Sequence, residues 1–182
     1  MKTNTNNTSP NGWREYYKEN QDAGSDCDLI ACETIKYNLP IIYPTISNIT
    51  DKPFGQYDID LAGIIKKPST VFNLQPTDKD TLYIEAELRM VDTRDWQLRA
   101  PLRKYKYFVN RPNSLYIHIN RPQNRMALIT GPDLIKSKQI NIPNRYNPGG
   151  EQFFVPEPEL VRFHDITPLD RFSNIDVTTL GL

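Results

Sequence analysis

The stretch "TLYIEAELRMVD", residues 81–92, decides the fold class. Leu82, Ile84, Ala86, Leu88 and Met90 alternate with Tyr83, Glu85, Glu87 and Arg89. Successive side chains of a strand point to opposite faces, so a period of two predicts a half-buried strand with the acids on a solvated outer face. Working outward, shorter runs of the same kind appear at "YDIDLAGII", "TVFNL", "YKYFV", "LYIHI", "MALIT", "QINI", "QFFV" and "LVRFH". Turn chemistry separates them, at "DKPFG", "QPTDKD", "NRPNS", "NRPQN", "TGPD", "YNPGG" and "PEPE". Eight or more short strands at regular spacing predict an all-β chain, folded as a single antiparallel β-sandwich or jelly-roll-like domain. Fifteen prolines against eight glycines agree, because proline breaks helices and favours short strands and turns.

The 182 residues divide into a polar N-terminal arm (1–26), a β-rich domain (27–166) and an extended C-terminal tail (167–182). Ser9-Pro10 reads as a cap with proline at the first helical position, opening a short helix through "NGWREYYKEN". Trp13, Tyr16 and Tyr17 then share one face, suited to docking on the parent domain or on a neighbouring subunit. "QDAGSDCD" reads as a linker, and further helix is expected only as turns at "GPDLIKS" and after Thr167-Pro168. Ile175, Val177 and Leu180 keep the tail apolar, so it is expected to lie against another surface. The first residues lack the apolar core of a signal peptide, and no run approaches 18 apolar residues. The expected location is a virion, or the cytoplasm before assembly, without secretion by a signal peptide and without a membrane partner.

A net charge of zero conceals a segregation. Residues 1–95 carry ten basic and fifteen acidic residues, 96–150 ten and one, and 151–182 two and six. No acid occurs from Trp96 to Pro132. Arg99, Arg103, Lys104, Lys106, Arg111, Arg121 and Arg125 are therefore a candidate partner-binding face. Aromatic residues interleave it, Tyr105, Tyr107 and Tyr116 among them, as on surfaces that bind single-stranded nucleic acid. The alternative is that the block complements acidic segments of the same chain or of a neighbour.

Catalytic motifs are missing. The sequence has no G-x-S-x-G, G-x-G-x-x-G, phosphate-loop or H-E-x-x-H pattern. His118 and His164 read as structural, since His164 and Asp165 are neighbours on a strand and point to opposite faces. Cys27 and Cys32 lack the companions a zinc site needs. Asp58 with Asp60, and Glu85 with Glu87, form same-face pairs that suit acid–base work or Ca²⁺, yet also fit a solvated strand face. No cofactor, metal or catalytic residue is expected.

Strand-rich, proline-heavy, with a polar arm and an apolar tail, the chain resembles virion and phage structural subunits as a broad class. The likeness is one of composition, with no motif behind it. The function expected is that of a non-enzymatic structural subunit, a capsid or tail component contacting other subunits in a homo- or hetero-oligomer through its termini and basic face. The alternatives are a single-stranded nucleic-acid-binding β-domain and a carbohydrate-binding β-sandwich using Trp96 and the strand-face acids.

Overall fold

A computed structural model of the chain describes residues 21–51, 58–66, 81–89, 97–144 and 147–169. Among the described residues strand predominates over helix, and the sheets do not close into a barrel. The first described element is not a strand: α1 runs Gln21–Ile42. Then come β1 Ile46–Asp51, β2 Leu61–Ile65, β3 Thr81–Arg89 and β4 Ala100–Pro101. A 3₁₀ turn Leu102–Lys104, α2 Tyr105–Phe108, β5 Ser114–Asn120, β6 Arg125–Thr130 and α3 Gly131–Ile135 follow. β7 Lys138–Asn144, β8 Asn147–Val155, a 3₁₀ turn Pro158–Leu160 and β9 Arg162–Asp165 complete the order.

α1 corrects two expectations, that "QDAGSDCD" is a linker and that helix is confined to the arm. Its cause is in the sequence: Ala31, Cys32, Ile35 and Leu39 recur at helical spacing and are all buried against the sheet. Pro40, in the last turn, has no N–H to give the helix ladder, and α1 ends at Ile42. "YKYFV" is likewise helical over Tyr105–Phe108, whereas "LYIHI", "MALIT", "QINI", "QFFV" and the end of "LVRFH" are strands. "TVFNL", Trp13, Tyr16, Tyr17, Trp96 and the tail from 170 lie outside the described residues.

The main sheet has six strands in the order β1-β2-β3-β5-β6-β9. It is mixed, in place of the purely antiparallel sheet expected. β3 and β5 run parallel, Ile84 opposite Leu115 and Leu88 opposite Ile119, while the other pairs are antiparallel. Parallel neighbours need a crossover, and β4, the 3₁₀ turn and α2 lie along it. β4 pairs with β8, and β8 with β7, as a second, three-stranded antiparallel sheet.

Three layers result. α1 covers one face through Ala31, Ile35 and Leu39, against Leu82, Ile84, Leu115, Ile117, Met126 and Leu128. On the other face Phe154, Ala100, Phe108 and Leu134 pack on Tyr116, Ala127 and Ile129. Every residue of β5 is buried, as for a central strand covered on both sides. Tyr116 and His118, which alternation alone points toward solvent, are therefore interior.

Candidate functional site

The second layer lies over strand residues expected to face water. Glu85 is 2% exposed, which contradicts its placement on a solvated face. Tyr83, Glu87 and Arg89 of the same row are partly buried. The crossover causes this: pairing of Ala100 and Pro101 with Phe154 and Phe153 holds the 3₁₀ turn close to β3. Lys104 of that turn ion-pairs with Glu85 Oε1, and its side chain is only 18% exposed.

β2 completes the cluster. Its ladder with β3 reaches Leu61 opposite Ile84. Beyond that point the Ala86 N–H donates to Asp60 Oδ2 at 2.9 Å, so the carboxylate satisfies a strand donor at the end of the ladder. Glu87 accepts a 2.7 Å hydrogen bond from the Tyr116 hydroxyl, which also lies 3.4 Å from the Arg99 carbonyl. Asp58 pairs with Arg111 at 2.7 Å, and the Arg111 guanidinium lies 4.9 Å from the Tyr83 ring centre. Burial works against the Lys104 ammonium, while Glu85, in direct contact, and then Glu87 and Asp60 favour its charged form.

The electrostatics follow the burial. Desolvation pushes the Glu85 carboxyl up to about 8; Lys104 pulls it down, and Asp60 and Glu87 push it further up. Its Oε2 is buried with no hydrogen-bond partner among the described residues. Burial, then Glu87, raises the Tyr116 hydroxyl well above the ordinary phenol value. Burial lowers His118, with Glu87 opposing, so its imidazole stays neutral at pH 7. The Arg111 hydrogen bond holds Asp58 below the usual carboxylate range. Burial pushes the Cys32 thiol up to about 12, which keeps it protonated and inert.

The structure divides the seven residues of the basic face between the two ends of β5. Arg99, Arg103, Lys104, Lys106 and Arg111 precede β5, whereas Arg121 and Arg125 follow it at the other end of the strand. Several meet acids of the flanking segments: Arg103 with Glu151, Lys104 with Glu85, Arg111 with Asp58, and Arg125 with Asp165 at 3.5 Å. The Arg103 side chain nevertheless remains 64% exposed. Arg99, Lys106 and Tyr105 are also exposed, and Lys106 sits 4.8 Å from the Tyr107 ring centre. Arg121 is half-buried, and its N–H donates to the Arg89 carbonyl. His164 faces α1, bonded to the Tyr43 hydroxyl at 2.6 Å, while its neighbour Asp165 sits beside Arg125.

Among the described residues no three His, Cys, Asp or Glu side chains stand together as a ready cation cage, and no helix is long and apolar enough to cross a membrane. No protein-family model, curated protein or solved structure matches the chain.

Proposed function

We propose that the chain cleaves phosphodiester bonds of nucleic acid, using a divalent cation on which Asp60, Glu85 and Glu87, not a ready cage as they stand, would close. One observation carries this: Glu85 is 2% exposed, with Oε1 on Lys104 and Oε2 unpartnered among the described residues. A buried carboxyl without sufficient counter-charge keeps its proton, as Glu85 does at pH 7. A divalent cation would restore the balance, and hard carboxylate oxygens suit Mg²⁺ or Mn²⁺.

The substrate class follows from the surroundings. Carboxylates repel phosphate, so an anion approaches them only through a bridging cation. Such a cation supplies a polarised phosphoryl oxygen and a more acidic water. The exposed Arg99, Arg103, Tyr105 and Lys106 flank Lys104 in the chain and would track a backbone and stack on bases. The expectation of a non-enzymatic protein rests chiefly on the lack of catalytic motifs, and the buried Glu85 is a carboxyl that such motifs do not describe.

The test is incubation of single- and double-stranded DNA and RNA with the full chain in Mg²⁺, Mn²⁺ or chelator. Cleavage should require the metal and fall by roughly 10²-fold or more in Glu85→Gln and Asp60→Asn. Metal-independent cleavage, or cleavage indifferent to both substitutions, would refute it. Salt-sensitive binding without cleavage would leave the binding-module alternative.

A structural subunit of a virion or phage particle is a second proposal, favoured by a different observation. β9 is an outer strand of the main sheet, and Leu160 and Phe163 beside and within it are 43% and 36% exposed. Its test is the mass of the native complex: a large particle supports it, and a monomer at high concentration opposes it.

A further inference from the structure

We infer that the outward face of α1 is a docking surface for the chain's own C-terminal segment, residues 170–182. The inward face of α1 is spent on the sheet. On the outside Leu29, Tyr37 and Ile41 are 52%, 49% and 63% exposed. With Glu33 they follow an i, i+4 progression, so they line one stripe about 18 Å long. Glu33 does not interrupt it with a free charge, since its carboxylate turns to Lys36.

The chain itself delivers the occupant. Ile166 is buried in the core beneath α1. The next residue is clamped to the helix: Asn38 Nδ2 donates to the Thr167 carbonyl at 3.1 Å, and the Thr167 N–H donates to Asn38 Oδ1 at 2.9 Å. Asn38 is 3% exposed, so this double hydrogen bond is a fixed anchor. It stands next to Tyr37 in the chain and less than a turn from Ile41. From Asp170 onward thirteen residues remain, including Phe172, Ile175, Val177, Leu180 and Leu182. Extended, they reach roughly 45 Å, more than twice the stripe. A segment tethered beside its site has an effective concentration in the millimolar range, which favours its own α1 over that of a second copy. Apolar surface on both sides supplies the driving force.

The experiment uses the full chain with a photo-crosslinking residue in place of Val177, irradiated at low concentration and mapped by mass spectrometry. A crosslink within the monomer to residues 29–41 is expected. Deletion of 170–182 should then speed amide exchange in α1 by roughly tenfold and raise binding of an apolar dye. Tyr37→Lys with Ile41→Lys in the shortened chain should abolish that dye binding. If the deletion does not fold, Ile175→Asp with Leu180→Asp in the full chain should give the same increases. A monomer crosslink elsewhere, or α1 exchange unchanged by both variants, would overturn the assignment. So would a crosslink found only between two chains, which would place the segment on a neighbour.

Discussion

Replacing Glu85 by glutamine should remove a pH dependence of stability that the burial of this carboxyl imposes. Its ordinary value is 4.5, and in the fold it is pushed up to about 8. Over that interval the native chain keeps a proton that the unfolded chain has lost. The unfolding free energy therefore falls as pH rises through the window: the contribution is fully present below 4.5 and lost by about 8. The ceiling on the slope is about 1.4 kcal/mol per pH unit. His118 and His164, both lowered by burial, act with the opposite sign below their ordinary 6.5, because each must stay neutral in the fold. Above about pH 7 the histidine contributions fade and Glu85 dominates, with an expected loss of roughly 1 kcal/mol between pH 7 and 8. Lys104 offsets part of this, since its ammonium gains an ionised partner as Glu85 loses its proton. Urea unfolding at closely spaced pH values provides the assay. With a slope of about 2 kcal/mol/M, the midpoint should drop by up to ~0.5 M in the wild type and not drop in Glu85→Gln. A wild-type midpoint that is flat or rises across the window, or an equal drop in the variant, would refute the reasoning.

Three further perturbations have defined outcomes. An added Cβ in Gly131→Ala would meet the Ser114 hydroxyl and come within 2.6 Å of Phe108 Cδ1, so thermal melting should show a loss of about 1–3 kcal/mol. Tyr116→Phe removes the hydroxyl that donates to Glu87 and should cost about 1–3 kcal/mol in chemical unfolding. Cys32, buried and raised to about 12, should resist iodoacetamide at pH 8 in the native chain and react once urea unfolds it, as followed by peptide mass.

Much of the strand content is legible in the sequence, because side-chain alternation is a local property. Leu82, Ile84 and Ala86 of β3, and Leu115, Ile117 and Ile119 of β5, face the core under α1 as their period of two predicts. Alternation says which residues share a face, and is silent on what covers it. Glu85 shares its row with Tyr83 and Glu87 as expected, and its burial comes from Lys104 and β4, brought over by a crossover whose path is set by pairing with β8. The parallel register of β3 and β5 is equally non-local, which is why the sheet is mixed where an antiparallel one was expected. α1 was open to detection: Ala31, Cys32, Ile35 and Leu39 carry the helical period, and Pro40 with the polar "QDAGSDCD" obscured it. The basic block was visible as composition, but its pairing with Asp58, Glu85, Glu151 and Asp165 depends on contacts distant in the chain.

Calorimetric titration of Mn²⁺ into the full chain at pH 7.5 tests the cation site most directly. Saturable binding in the wild type, lost in both Asp60→Asn and Glu85→Gln while each variant keeps its native fold, is the result expected. No binding at millimolar Mn²⁺, or binding unchanged in both folded variants, would contradict the assignment of these carboxylates to a cation.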